Sequence, residues 1–188
     1  SEQTQFNPSI SSVASKNPSA GALVRETNNN LTAVQSEYSL FERTAEERGV
    51  IKTLEELGIG FVAYSPLGRG FLSGQIRSID DLPENDFRRA IPRFQEKYFH
   101  KNIELVKAVE KMAEEKNVTS SQLALAWIIS KGIVPIPGTK RRKYLEQNIA
   151  STHIELSQND LLKLESIVPL GTDTGATYDE FGMGLLDY

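Results

Sequence analysis

A strand, a helix and a second strand in direct succession constrain the fold of this chain more than any other feature. Residues 31–38 begin apolar and end polar, which is typical of a strand that runs from a buried interior to an exposed end. Residues 42–57 place apolar side chains at helical spacing and stop at Gly58, and residues 59–64 are again apolar. Such a strand–helix–strand unit favours parallel pairing with a right-handed crossover, and therefore predicts an α/β fold.

The remaining sequence repeats the alternation of helix and strand. In order it predicts a helix at 101–116, a buried helix capped by Thr119, a strand at 133–137, and helices at about 141–150 and 157–167. Residues 75–100 form a long irregular connection, and such connections are usually functional or mobile. We therefore predict three strand–helix units in one domain at 31–188, with a loop-like tail from Gly171. A polar, poorly structured segment at 1–30 is expected to precede this domain.

Composition excludes several classes of function. A net charge of −4 gives the chain no general attraction to nucleic acid or to an anionic membrane. The absence of cysteine rules out disulfides and Cys-based metal sites, and the acidic residues at 80–86 lack both metal-ligand spacing and a nearby histidine. No apolar run approaches the roughly 20 residues of a membrane span, and the first residues lack the layout of a secretory signal. The sequence therefore predicts a cytoplasmic protein without a metal site.

The loop that follows the second strand carries the first candidate binding site. Tyr64 stands at the end of that strand, where its ring can stack against a flat cofactor such as nicotinamide. The amides of residues 65–70, with Arg69 between two glycines, can hold a pyrophosphate. An ordinary strand-to-loop turn with a solvated arginine is the alternative, and composition alone favours it. Gln35, on the same face of the first strand as Glu37, can bind a nicotinamide carboxamide or can be a buried amide that satisfies a neighbouring backbone group.

Four consecutive cations at 140–143 form the second candidate site. They stand where a strand meets a helix N-terminus, and the helix dipole disfavours cations there unless they share an anion. A phosphate on an adenosine ribose satisfies that condition, with Thr139 donating its hydroxyl and with Gln147 and Asn148 one turn further on against the adenine edge. The alternative is a solvated basic face.

Other polar residues are less informative. His100 and His153 are predicted to lie at the surface. Arg88, Arg89 and Arg93 of the long connection can close over a phosphate, but their setting favours a solvated loop.

Three motifs in this order resemble one known family. They are AVQSEYSL at 33–40, AYSPLGRG at 63–70 and IPGTKR at 136–141, and FRR at 87–89, QLALAW at 122–127 and YLEQN at 144–148 fit the same pattern. Together they are similar to the aldo-keto reductases, NADPH-dependent oxidoreductases built on a TIM (β/α)8 barrel. The resemblance runs from about residue 31 to about residue 170. It implies that the three strands are the sixth, seventh and eighth of the barrel, so that the chain is a partial TIM barrel of three C-terminal strand–helix units.

The resemblance also implies roles for the residues of both candidate sites. Gln35 is expected to contact the nicotinamide carboxamide and Tyr64 to stack on the nicotinamide ring. The pyrophosphate is expected to be lined by Ser65, Pro66, Leu67, Gly68, Arg69 and Gly70. The 2′-phosphate region is assigned to Gly138, Thr139, Lys140 and Arg141, and the adenosine to Tyr144, Gln147 and Asn148. The two cations of that group favour NADPH over NADH, because an additional dianion favours additional cations.

The catalytic set of the family has no counterpart in this sequence. That set is an Asp, a proton-donating Tyr, a Lys that lowers the pKa of the Tyr, and a His, all from the second to fourth strands. Nothing before Leu31 resembles those strands, and none of the six tyrosines has the partner lysine and the flanking motif. We therefore expect the C-terminal portion of an NADPH-dependent enzyme that reduces aldehydes or ketones, without a catalytic residue and with little or no activity by itself.

Two other interpretations stay open: a non-catalytic NADP-binding or regulatory protein, and an inert truncated fragment. The expected partner of the complete enzyme is a small carbonyl substrate, with no nucleic acid and no membrane. An open sheet of three strands also exposes its edges and the apolar barrel interior, which favours self-association.

Overall fold

The computed structural model describes residues 31–178, so the predicted polar segment at 1–30 lies outside the described residues. Within that range the chain forms a sheet of three parallel strands in the order β1 (Ala33–Glu37), β2 (Gly60–Tyr64) and β3 (Val134–Pro135). The α-helices of the same range are α1 (Thr44–Glu47), α2 (Val50–Glu56), α3 (Glu96–Glu115), α4 (Ser120–Ser130), α5 (Arg142–Ala150) and α6 (Gln158–Ile167). The parallel sheet with helices in the crossovers confirms the predicted α/β fold.

Two helix starts follow from local capping signals. Thr119 caps α4, where its hydroxyl accepts from the Gln122 amide at 3.2 Å and the Gln122 side chain accepts from the Thr119 amide at 3.0 Å. Ser157 caps α6 through the equivalent pair of bonds with Asp160, at 3.2 and 2.9 Å. Both predicted caps are confirmed, because each depends only on residues three positions apart.

Two predicted elements differ from the structure. The helix expected at 42–57 is split into α1 and α2, because Gly49 adopts a left-handed conformation (φ 71°) between them. The strand expected at 133–137 is reduced to the two residues of β3. Prolines at 135 and 137 lack the amide that a longer ladder requires, so pairing stops there.

The two faces of the sheet have different surroundings. The register places Gln35 beside Val62 and Glu37 beside Tyr64, so that these four side chains share one face. On the opposite face Phe61 is 5 % exposed and belongs to the hydrophobic core beneath the helices. Gln35 is exposed on the first face, whereas Glu37 on the same face is buried, so this face is open at the position of Gln35.

The long connection between β2 and α3 is anchored by an aromatic cluster. The ring of Phe71 lies 5.8, 4.8 and 5.3 Å from the ring centroids of Phe41, Phe94 and Phe99. The neighbouring Arg93 is 0 % exposed, so the prediction that it lies in a solvated loop is wrong. Its adjacent residue Phe94 is drawn into the aromatic cluster, and the arginine is buried with it.

The two histidines lie at the surface as predicted, since His100 and His153 are both exposed. Arg88 of the long connection is half-buried and forms a salt bridge with Asp86 at 2.7 Å. Among residues 31–178 no group of three or more His, Cys, Asp or Glu side chains is placed to hold a metal ion. No helix of the described part of the chain is long and apolar enough to cross a bilayer, and the cytoplasmic location stays a prediction.

A groove of about 440 Å³ runs beside β3, between α4 and α5. Its lining is almost entirely apolar and includes Val134, Leu145 and Ile149, which are 59, 49 and 57 % exposed. Ile136, just past β3, is 45 % exposed. Within the described residues β3 is an edge strand, and an exposed apolar strip next to such an edge is a surface that a second protein chain can cover.

The predicted self-association has a direct test at this groove. Replacing Leu145 and Ile149 with lysine should weaken association by at least about 10-fold, because a charge placed in an apolar contact costs more than 1.4 kcal/mol. Sedimentation velocity over a range of concentrations measures the effect. Leu162→Lys is the matched control, since Leu162 is 59 % exposed on α6 and does not line the groove. A wild-type chain that stays monomeric at every concentration would contradict the prediction.

Candidate functional site

The carboxyl ends of the three strands meet along one rim of the sheet. The Tyr38 amide donates to the Tyr64 carbonyl at 3.3 Å, and the Ile136 amide donates to the Ala63 carbonyl at 3.0 Å. The polar end of β1, the loop after β2 and the turn after β3 therefore lie side by side. In barrels and open parallel sheets this is the rim where ligands bind.

The loop after β2 holds a backbone conformation that is unusual for residues with side chains. Ser65 and Arg69 have positive φ values of 49° and 58°. The amides of Gly68 and Gly70 donate to the carbonyls of Ser65 and Leu67 at 2.9 and 3.0 Å. The expected row of free amides at 65–70 is therefore interrupted, because these two glycine amides are already bonded within the loop.

Arg69 points into the protein. Its Nη2 lies 3.1 Å from Glu37 Oε2, and its side chain is only 11 % exposed. Its guanidinium carbon also lies 4.3 Å from the centre of the Tyr178 ring. The alternative of a solvated arginine is therefore wrong. The positive charge of Arg69, which we expected to meet an anion of the cofactor, is paired here with the Glu37 carboxylate.

Glu37 and Arg93 form a buried ionic cluster beneath this loop. They are 6 and 0 % exposed, and Glu37 Oε1 lies 3.8 Å from Arg93 Nη1. Arg93 Nη2 also contacts Glu42 Oε2 at 3.4 Å and the Phe41 carbonyl at 3.3 Å. Burial raises the pKa of Glu37 above its ordinary value, although Arg69 and Arg93 both favour the charged carboxylate. Sequence reasoning missed this cluster, and its only signal was the apolar neighbourhood of Arg93.

Tyr64 and Gln35 lie on the same face of the sheet, because Tyr64 pairs with Glu37 two positions along β1 from Gln35. The Tyr64 hydroxyl lies 3.2 Å from the Tyr178 hydroxyl. Burial and that hydrogen bond raise the pKa of the Tyr64 phenol, which therefore stays neutral at physiological pH. Gln35 is exposed, so the alternative of a buried amide is wrong.

The four cations stand at the start of α5. Lys140, Arg141, Arg142 and Lys143 are all exposed, and the first turn of the helix contains no acidic residue. Within the described residues no salt bridge joins any of them to a carboxylate. The Thr139 hydroxyl accepts from the Arg141 amide at 3.3 Å. Four uncompensated cations at the positive end of a helix dipole favour a bound anion.

The adenosine candidates follow on the same helix. The Tyr144 hydroxyl accepts a hydrogen bond from Gln75 Nε2 at 2.8 Å, which ties α5 to the connection after the β2 loop. Gln147 and Asn148 are half-buried, and Asn148 also lines the groove beside β3. The structure thus brings the two candidate sites to neighbouring parts of the rim.

One lysine–tyrosine contact was missed. Lys97 Nζ donates to the Tyr98 hydroxyl at 2.9 Å, without the flanking motif that the family's proton-donating tyrosine requires. Both residues lie in the first turn of α3 and not at the end of a strand, and the lysine is fully solvated. Adjacent positions along a chain produce such a contact without any buried site.

The chain matches the family model described as the aldo/keto reductase family over residues 14–169, which begins within the N-terminal segment ahead of Leu31. It is 47 % identical over 152 residues to aldo-keto reductase yakc of Schizosaccharomyces pombe, whose name carries the designation NADP(+). It is 39 % identical over 161 residues to aldo-keto reductase str7 of Strobilurus tenacellus. These matches cover 79 and 84 % of this chain and 45 and 48 % of the relatives, so the chain spans about half the length of the curated relatives it matches.

Solved structures agree on the fold. A glycerol dehydrogenase from Gluconobacter oxydans superposes with a TM-score of 0.72 at 24 % identity, covering 80 % of this chain and 46 % of that one. A thermostable aldo-keto reductase gives a TM-score of 0.58 at 23 % identity, covering 79 and 44 %. These barrels confirm the predicted partial TIM barrel. The chain therefore belongs to the aldo/keto reductase family of oxidoreductases.

Proposed function

We propose that this chain supplies the NADPH-binding part of an aldo-keto reductase that reduces aldehydes or ketones. The observation that carries the proposal is the exposed cation cluster of 140–143, which forms no salt bridge within residues 31–178 and lies on the same rim as Tyr64 and the exposed Gln35. The family membership and the NADP(+) designation of the yeast relative support it.

The residues present fit the parts of this cofactor. An exposed amide on the open face suits the carboxamide, a neutral, partly buried phenol ring suits the nicotinamide face, and free cations suit the 2′-phosphate. The proposed contacts are Gln35 and Tyr64 for the nicotinamide, Ser65, Pro66, Leu67, Gly68, Arg69 and Gly70 for the pyrophosphate, Gly138, Thr139, Lys140 and Arg141 for the 2′-phosphate, and Tyr144, Gln147 and Asn148 for the adenosine.

The chain's own contribution to the reaction is binding and orientation. NADPH supplies a hydride to a carbonyl carbon when it is bound in such a site. Gln35 and Tyr64 would fix which face of the nicotinamide is presented, and the phosphate contacts would fix its distance along the rim. Among residues 31–178 no hydrogen bond joins Tyr64, Tyr144 or Tyr178 to a lysine, so we assign no proton donor to these residues. A protein that binds NADP without turnover is the second candidate.

NADPH titration of the 188-residue chain tests the proposal. We expect saturable binding, followed by the fluorescence of the reduced nicotinamide, and no consumption of NADPH when an aromatic aldehyde is added. Turnover would show that a catalytic set is present and would contradict the absence of a proton donor. A chain that binds neither NADPH nor NADP(+) would favour the inert fragment.

A further inference from the structure

Side chains from three distant parts of the sequence meet beside Tyr64. Its hydroxyl lies 3.2 Å from that of Tyr178, which comes 114 positions later. The ring of Tyr178 in turn lies 4.3 Å from the guanidinium carbon of Arg69, within the range of a cation–π contact. Glu37 holds the same guanidinium from the other strand at 3.1 Å. Tyr178 is therefore fixed both through its hydroxyl and through its ring.

The segment that carries Tyr178 is itself held by buried contacts. The Thr174 hydroxyl donates to the Phe41 carbonyl at 2.9 Å, and Asn102 Nδ2 donates to the Thr174 carbonyl at 2.9 Å. Arg93 Nη2 donates to the Gly175 carbonyl at 3.3 Å. Thr174 and Thr177 are 4 and 7 % exposed. The position of Tyr178 follows from the packed interior and not from a free tail.

The backbone of Arg69 indicates that this arrangement is imposed by its surroundings. A non-glycine residue with φ of 58° is strained, and such strain persists only where neighbouring contacts determine the conformation. The contacts here are the Glu37 carboxylate, the Tyr178 ring, and Arg88, whose Nη1 donates to the Arg69 carbonyl at 3.0 Å. An arginine engaged on all these sides serves to hold Tyr178 in place.

We propose that Tyr178 is a positioning residue of the nicotinamide subsite, which orients the Tyr64 ring through the contact between their hydroxyls and is itself held by Arg69. This inference rests on the proposed function, because it assigns Tyr178 to the same site. The phenol oxygen lies at the far end of the Tyr64 ring axis, so a hydrogen bond there fixes the direction of that axis and restricts the swing of the ring away from a stacking position. Arg69 then acts on the cofactor through Tyr178 and less through the pyrophosphate.

A double-mutant cycle with Tyr64→Phe and Tyr178→Phe tests the inference. Both variants keep their rings and lose only the hydroxyls. We expect each single variant to lower the affinity for NADPH by about 3- to 10-fold, the effect of one neutral hydrogen bond, and the double variant to lose no more than a single one. The affinity for 2′,5′-ADP, which lacks the nicotinamide half, should not change. Tyr98→Phe is the matched control, since its hydroxyl contacts Lys97 outside the site.

Each possible outcome of these titrations either supports or overturns the inference. Additive losses in the double variant, or equal losses for NADPH and 2′,5′-ADP, would show a general structural role and overturn the inference. Unchanged NADPH affinity in both single variants would overturn it as well. If the wild-type chain binds 2′,5′-ADP and NADPH with equal affinity, the proposed cation site is supported, but the nicotinamide subsite and this inference are overturned. A wild-type chain that binds neither ligand overturns the proposed function and this inference with it. Thermal unfolding of each variant establishes that it is folded.

Discussion

Replacing Lys140 and Arg141 with glutamine is expected to lower the affinity for NADPH by about 30-fold and to leave the affinity for NADH nearly unchanged. Each exposed charge-assisted hydrogen bond to the 2′-phosphate contributes about 1 kcal/mol, and two of them give this factor. NADH lacks that phosphate, so the same substitution removes nothing that NADH uses. Fluorescence titration with both nucleotides measures the effect, and the difference should shrink at high salt because exposed charges are screened.

The matched control for this prediction lies on the same helix. Arg142→Gln with Lys143→Gln removes the same charge from the next two positions, which are equally exposed. If the 2′-phosphate sits at the turn between β3 and α5, this control pair should cost less than about 3-fold. Equal losses for the two pairs would show that the basic cluster acts only through its overall charge. Equal losses of affinity for NADPH and NADH would show that Lys140 and Arg141 do not contact the 2′-phosphate.

Arg93→Met should destabilise the folded chain by about 3–5 kcal/mol. The substitution removes a fully buried cation and leaves the Glu37 carboxylate, which is 6 % exposed, without that partner. It also removes the donors to the carbonyls of Phe41 and Gly175. Urea unfolding followed by circular dichroism measures the change. Arg48→Met serves as the control, because Arg48 is exposed and should change stability by less than about 0.5 kcal/mol.

The pH dependence of this defect distinguishes a lost charge from lost packing. Burial raises the pKa of Glu37 above its unfolded value, so the carboxyl is easier to protonate in the folded chain than in the unfolded chain. The stability that this difference supplies is complete below the unfolded pKa and is lost as the pH rises through the folded pKa. Removing Arg93 raises the folded pKa further, so the difference from wild type should be larger at neutral pH than at about pH 4. Glu37→Gln added to Arg93→Met should recover part of the loss. A defect that is the same at both pH values would indicate packing alone.

The regular elements were predictable where their signals are local. The caps at Thr119 and Ser157 were predicted correctly because each cap bonds within its own first turn. The break at Gly49 was missed, since a glycine within an otherwise periodic segment can continue a helix or end it, and only packing decides which. The shortness of β3 was foreseeable from its prolines.

In the candidate site, too, the residues with local sequence signals were predictable and the contacts between distant residues were not. Strand periodicity predicted that Gln35 and Glu37 share one face of the first strand, and the register between β1 and β2 adds Tyr64 to that face. The burial of Arg93 could not be read from its neighbourhood alone, because its partners lie at positions 37, 42 and 175. The contact between the hydroxyls of Tyr64 and Tyr178 joins residues 114 positions apart and leaves no pattern in the sequence.

By itself the sequence determined the strand–helix alternation and the family, and it indicated the rim on which we propose that a nucleotide lies, since these depend on periodicity, capping and short motifs. Only the tertiary structure decided which charged side chains at that rim point into the protein and which point into solvent. Arg69 turns inward to Glu37 and Tyr178, whereas the cations at 140–143 are exposed and form no salt bridge with any carboxylate that the structure describes. The reason is physical: a charge next to the core must find its counter-charge from wherever the fold supplies one, and a charge at an exposed helix end is solvated by water.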